Sequence, residues 1–141
     1  MAVMSELSDN VRAFLQQTHL AVIATSNRDG SPHQTALWYA LATSADGDVI
    51  LMNTGTASKK VRNLKRTAWA SVCVSALDPA RHVTIEGQVE LDEAHVMEDL
   101  TTLASRYAGA EAGPGIAANI AKVPHVSLRL RVEKVRTFGK I

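Results

Sequence analysis

Two runs of strict two-residue alternation constrain this chain more than anything else in it. Val83, Ile85, Gly87, Val89 and Leu91 alternate with Thr84, Glu86, Gln88 and Glu90; Val126, Leu128, Leu130 and Val132 alternate with Ser127, Arg129, Arg131 and Glu133. A backbone that turns successive side chains to opposite faces is a β-strand, here with one face buried and one wet. After the second run the apolar phase slips between Val132 and Val135. One extra residue near Lys134, a β-bulge, accounts for the slip. Shorter apolar runs predict four more strands, over residues 19–25, 33–42, 49–53 and 69–76. Asp29-Gly30 and Asp46-Gly47-Asp48 mark reversals between them.

The helical signals are short. Ser8 is placed as an N-cap ahead of Val11, Phe14, Leu15 and Thr18. Ala57, Val61, Leu64 and Ala68 recur with a helical period and predict a small helix with one buried stripe. A longer helix is predicted over residues 93–107, with Val96, Leu100, Leu103, Ala104 and Tyr107 inward. Gly113-Pro114-Gly115 reads as loop, followed by one or two helical turns over residues 116–122. Strands joined by turns and short helices are not a βαβ alternation, which argues against a doubly wound parallel sheet. The expected fold is mainly β: a six-stranded antiparallel barrel with peripheral helices. Its 141 residues form one domain, 1–141.

Several function classes are excluded by composition. A net charge of +1 gives no general reason for nucleic acid or an acidic membrane surface as partner. No apolar run approaches the roughly 20 residues of a membrane helix. The opening Met1-Ala2-Val3-Met4-Ser5-Glu6 lacks the basic start and apolar core of a signal peptide. Cys73 is the single cysteine, so no internal disulfide forms and a reducing, cytoplasmic setting is expected. His19, His33, His82, His95 and His125 show no paired spacing of a zinc site, and no metal is expected.

Two segments carry candidate chemistry. Five basic residues fall between Lys59 and Arg66. Lys65 and Arg66 suit the negative end of the predicted helix, whereas Lys59 and Lys60 sit in its first turn, where the dipole is positive. A bound anion reverses that penalty. First-turn N–H groups, hydroxyls of Thr54, Thr56 or Ser58, and the lysine ammoniums would then hold a phosphate; a solvated basic face is the alternative. The second segment, Ser31-Pro32-His33-Gln34-Thr35-Ala36-Leu37-Trp38-Tyr39, mixes polar and aromatic groups on one strand. It offers rim hydrogen bonds and flat apolar contact to a planar heteroaromatic ligand, or ordinary barrel packing.

In order and spacing, Ala24-Thr25, Asp29-Gly30-Ser31-Pro32-His33, Trp38-Tyr39, the run from Lys60 to Arg66 with its Asn63-Leu64-Lys65-Arg66, and Thr84-Ile85-Glu86-Gly87 resemble the pyridoxamine phosphate oxidase-like superfamily. Within it the chain is most similar to the flavin/deazaflavin oxidoreductases of actinobacteria, over most of its length. The resemblance implies a split β-barrel homodimer with the cofactor at the subunit interface. Lys60 matches the phosphate-binding lysine. Ser58 stands at a position open to arginine in relatives, and Lys59 is placed to make up the charge. Pro32, His33, Gln34, Thr35 and Ala36 would line the ring, and Met52, Asn53 and Thr54 would flank the ribityl chain or phosphate.

Trp38-Tyr39 matches the branch that binds the deazaflavin coenzyme F-420, with FMN as the rival cofactor. The implied activity is hydride transfer between coenzyme F-420 and a small electron-poor organic substrate, with the proton coming from solvent or from Tyr39 or His33. An FMN-dependent oxidoreductase, a non-catalytic deazaflavin-, flavin- or haem-binding protein, and a dimer without cofactor are the alternatives.

Overall fold

The computed structural model describes residues 6–45 and 47–141. Met1–Ser5 and Asp46, and with them part of the opening segment and of the second reversal, lie outside the described residues. In chain order the elements are α1 (Asp9–Gln16), β1 (Ala21–Ser26), β2 (Pro32–Leu37), β3 (Ala40–Ser44), β4 (Gly47–Gly55), α2 (Lys59–Arg66), β5 (Trp69–Ala76), β6 (Arg81–Asp92), α3 (Val96–Ala108), α4 (Gly113–Ile120), β7 (His125–Arg131) and β8 (Lys134–Phe138).

The long alternating run becomes β6, the strand that organises the sheet. Every strand pairing is antiparallel, in the order β2-β1-β5-β6-β7-β4-β3, with β8 also on β6. The first part of β6 pairs with β5 and β8, and its last part with β7. Glu86 faces Lys134, and Val89 faces Leu130. Between those pairs β6 holds Gly87 and Gln88, while the opposing chain holds Arg131, Val132 and Glu133. The extra residue is the bulge expected from the apolar phase slip. The chain splits its bonds there: Val132 N–H donates to Asp48 O (3.3 Å) and Glu133 N–H to Glu86 O (3.1 Å).

The expected six strands are eight in the structure, because two of them are cut. One cut is this bulge, which separates β7 from β8. The other falls at Trp38-Tyr39, where the run expected over residues 33–42 becomes β2 and β3 at opposite ends of the sheet order. There the Tyr39 backbone leaves the ladder and takes its partner from α3. Its N–H donates to Tyr107 Oη at 3.2 Å, and the same hydroxyl lies against the carbonyl oxygens of Tyr39 (3.3 Å) and His19.

One face of the curved sheet encloses a single core. Ile23, Ile50, Met52, Val72, Val74, Ile85, Leu128, Leu130 and Val135 are fully buried in it. α1 adds Val11, Phe14 and Leu15, and α2 adds Val61 and Leu64. Ser8 caps α1 as expected, accepting from Val11 N at 3.2 Å. α3 and α4 lie on the outer side, where Trp38 packs against Leu103 and Leu51 and against Leu100, Ala104 and Ala117.

Gly113-Pro114-Gly115, expected as loop, opens α4. Proline fits a helix's first turn, where its missing N–H has no partner to lose. A Cβ on Gly113 would stand 2.2 Å from Ser105 Oγ, so glycine lets α4 close on α3. Among the described residues no helix is long and apolar enough to cross a membrane.

Candidate functional site

α2 follows directly from β4, and its start is built from hydroxyls. Ser58 is the N-cap, accepting from Val61 N at 3.4 Å, and Thr54 Oγ1 donates to Ser58 Oγ at 3.3 Å. Thr56 is tied elsewhere, through its N–H to Pro124 O at 3.0 Å. The first turn holds no acidic residue. Lys60 is half-buried there, and burial pushes its ammonium pKa down. Among the described residues no carboxylate forms an ion pair with it.

Lys59 goes another way. It is exposed and lines a cavity of about 380 Å³ with Asn27, Arg28, Asp29, Arg62, Asn63 and Arg66. Hydrogen bonds from Ser31 hold the Asp29 carboxyl below its ordinary value, with a smaller contribution from the Lys59 charge. So the two lysines, expected at one anion, face different surroundings. Successive helical residues are about 100° apart, and of the two only Lys60 is part-buried.

Asn63 holds α2 against β1. Its Nδ2 donates to Thr25 Oγ1 (3.1 Å) and Asn27 Oδ1 (3.0 Å), while its Oδ1 accepts from Arg66 at 3.1 Å. The Asn-Leu-basic-basic run is thus an anchoring device for the helix that carries Lys60.

On β2 the alternation sends Pro32, Gln34 and Ala36 outward, with His33, Thr35 and Leu37 half-buried on the other face. Thr35 Oγ1 is sealed from solvent without a hydrogen-bond partner. Outside, Ala36 neighbours Val22 and then Cys73, and Gln34 neighbours Ala24 and then Ser71. These small side chains make a flat, open face, on which Val22 is 37% exposed.

Two expected site residues are corrected. Met52 is fully buried in the core, because β4 sends Met52 and Thr54 inward and Asn53 outward. Its side chain therefore cannot touch a ligand on the outer face. Tyr39 is also fully buried, and its hydroxyl donates to Leu15 O at 2.8 Å. Burial, the largest influence, pushes its pKa up to about 12, against the opposing charge of Arg106. A phenol so placed cannot hand a proton to a substrate.

A cavity of about 370 Å³ opens between the sheet's outer face and the helices α3 and α4. It brings together Ala36, Leu37 and Trp38 from one edge of the sheet and Asn53 and His125 from β4 and β7. Leu100, Leu103, Ile120 and Leu20 complete it. Trp38 stacks on Tyr107 with ring centres 5.1 Å apart and planes within 8°. Asn53 Oδ1 is buried without a partner. Of the residues singled out in the sequence, Ala36 and Asn53 line this cavity and His33 does not. His125 and the α3–α4 leucines and isoleucine were not legible as site residues; the only signal was a histidine directly after Pro124.

A larger cavity, about 730 Å³, lies elsewhere and is lined by Asp92, His95, Glu98, Arg129 and Arg131 among others. Its charges largely neutralise one another. Arg129 bridges Asp92 (3.1 Å) and Asp99 (2.7 Å), and His95 Nδ1 meets Asp92 at 2.8 Å. We regard it as a structural network, because size alone recognises nothing and Arg129 and His95 already have carboxylate partners.

Burial would raise the Asp92 carboxyl, but hydrogen bonds from the His95 ring and from the Ala94 and His95 N–H groups outweigh it and hold the pKa at about 2. A lowered folded-state value stabilises the protein above the unfolded carboxyl's pKa of about 3.9 and loses that stabilisation as pH falls through the folded value. Asp92→Asn is therefore expected to destabilise by about 1–2 kcal/mol near neutral pH. In thermal melts the gap from wild type should close as pH falls from about 4 toward 2. A gap independent of pH contradicts the network. The His95 pKa is raised by Asp92, so its smaller contribution acts in the opposite sense: it is present in acid and lost as pH rises through the raised value.

Comparison with known proteins adds the following. The pyridoxamine 5'-phosphate oxidase family model matches residues 7–139. An F-420H(2)-dependent biliverdin reductase from Mycobacterium tuberculosis (strain CDC 1551 / Oshkosh) is 31% identical over 88 residues, 62% of this chain and 61% of that protein. The match thus spans about three fifths of the curated relative's length. A conserved hypothetical protein from Mycobacterium tuberculosis superposes with a TM-score of 0.75 at 26% identity, over 94% of this chain and 84% of that one. An F-420 reductase shares the fold with a TM-score of 0.74 at 23% identity, over 92% of this chain and 98% of that one.

Proposed function

The chain belongs to the pyridoxamine 5'-phosphate oxidase family, and from that premise we propose that it is an oxidoreductase passing a hydride between the deazaflavin coenzyme F-420 and a small electron-poor organic substrate. One observation carries the reading. Lys60 is a half-buried cation at the start of a helix, with no carboxylate paired to it among the described residues. A phosphate on the coenzyme provides the missing counter-charge, held also by free N–H groups of the first turn and by the Ser58 hydroxyl, which Thr54 orients. Lys59 adds positive potential from its own cation-lined cavity. The F-420H(2)-dependent biliverdin reductase among the relatives points to the same coenzyme.

The remaining residues fit a ring-bearing ligand. Pro32, Gln34 and Ala36 offer the exposed edge beside the ring, with the half-buried His33 near the start of the strand. A second copy of the chain covers the flat face of Val22, Ala24, Ala36 and Cys73, so that the coenzyme lies at the interface of a homodimer. The free thiol of Cys73 suits the cytoplasm.

When bound, the reduced coenzyme supplies the hydride. The chain's part is placement: Lys60 and the cap fix the phosphate end, and β2 sets the ring against the acceptor. With Tyr39 sealed in the core, His33 is the remaining side chain for the proton.

The test is a fluorescence titration of wild-type protein and Lys60→Ala with coenzyme F-420 and with FMN. F-420 should bind the wild type more tightly than FMN does. Removing the lysine should weaken F-420 binding about tenfold, one charge-assisted hydrogen bond in a partly solvated site. Indifference of the wild type to both coenzymes, or equal F-420 affinity in the two proteins, rejects the assignment.

A further inference from the structure

We infer that the cavity between α3–α4 and the outer face of the sheet is the subsite for the electron acceptor, and that it takes a flat, largely apolar ring system with an N–H on its rim. The volume, about 370 Å³, lies near the lower end of small-molecule sites, roughly 300–1,000 Å³, and suits a few fused rings. The walls are almost wholly apolar, with Leu100, Leu103 and Ile120 on one side and Trp38 presenting a flat surface.

Two polar side chains break that surface, and each carries an acceptor atom with no donor of its own. Asn53 Nδ2 donates to Ser127 Oγ at 3.4 Å, which leaves Oδ1 buried with no donor. His125 Nδ1 lies 2.6 Å from Val123 O. A carbonyl only accepts, so Nδ1 carries the proton and Nε2 is the ring atom left for a ligand. Asn53 pairs with Ser127 and Gly55 with His125, so Asn53 and His125 are diagonal neighbours on one face, with Cα atoms roughly 7–8 Å apart. An apolar slot whose unpaired groups are acceptors selects a flat molecule that brings a donor. A site built to receive an N–H rejects the isostere that lacks it, because the buried oxygen then stays unpaired.

The word acceptor rests on the reading above: Ala36, on the strand set beside the coenzyme ring, also forms a wall of this cavity. The ligand chemistry does not depend on it. The probes are indole and benzothiophene, bicyclic rings of similar shape with and without an N–H. Binding is followed by NMR titration of the wild-type protein alone and saturated with coenzyme F-420.

Indole should bind in both states, and benzothiophene about fivefold more weakly, the equivalent of one ordinary hydrogen bond. Asn53→Leu should bring the two probes to equal affinity. His125→Phe, which keeps a flat ring in place, should weaken indole more than benzothiophene and serves if the Asn53 variant does not fold. Equal binding of the probes to wild type, or no binding of indole, overturns the inference. So does loss of indole on saturation with coenzyme, since the cavity would then belong to the coenzyme. Failure of the coenzyme to bind is read in its own titration and removes the oxidoreductase reading, while discrimination between the probes still decides the ligand chemistry of the cavity.

Discussion

Gly87→Ala is expected to cost at least about 3 kcal/mol, enough to unfold most of a marginally stable domain of this size. A Cβ at Gly87 would stand 1.8 Å from Arg131 O and 3.0 Å from Arg131 C. Both are backbone atoms, so no side-chain rotation relieves the overlap. The strands would have to part where β6 hands over from β8 to β7. That would strain the Glu133 N–H bond to Glu86 O and the Gln88 N–H bond to Glu133 Oε2 (2.6 Å). Overpacking a well-filled site by one methyl typically costs about 1–3 kcal/mol, and contact with a fixed carbonyl belongs at or beyond the top of that range.

Gly115→Ala is the matched control. It lies in α4 with nothing within 4 Å of its added methyl, and should be neutral or stabilising by up to about 1 kcal/mol. Urea denaturation of the three proteins decides the matter. A Gly87→Ala midpoint equal to wild type rules out this account of the Glu86-Gly87 pair.

Arg106→Ala should cost about 2–4 kcal/mol, although the residue lines neither of the proposed sites. α1 ends with no basic residue in its last turn. Its final carbonyls are served instead by the Arg106 guanidinium, which donates to Leu15 O (3.0 Å), Gln16 O (3.2 Å) and Gln17 O (2.7 Å). The same cation lies 4.9 Å over the Tyr39 ring and 5.7 Å from the Tyr107 ring. Truncation leaves carbonyls short of donors and removes the cation from two aromatic faces.

Arg106→Lys keeps the charge but not the planar fork that spans three oxygens, and should recover less than half of the loss. Stability measured for both variants by chemical denaturation tests this. Full rescue by lysine would show that charge alone matters. No loss in either variant would mean that α1 is held without the arginine.

Much of the framework was legible because it is local. Alternation along residues 83–91 and 126–132 states which way each side chain turns, and the pleat obeys it. Ser8 and Ser58 lie where a helix start needs an oxygen acceptor, and both cap. The slip between Val132 and Val135 required an extra residue, and the register supplies it. Even Lys60 could be singled out, because a cation in a helix's first turn is locally out of place.

What stayed illegible depends on parts of the chain that meet only in space. The break at Trp38-Tyr39 has no local cause: Tyr107, on another element, supplies the hydrogen bonds that let the strand leave its ladder. Alternation alone could have separated Asn53 from Met52, but the three residues 52–54 entered as a block through resemblance. The need for glycine at Gly87 arises from Arg131 crossing above it. His125 became a site residue only when Val123 fixed its proton and α3 and α4 closed a wall opposite. Backbone geometry repeats every two or every 3.6 residues, so sequence alone states direction, period and capping. Which surfaces then touch is set by distant segments competing for the same buried space, and only the folded chain settles that.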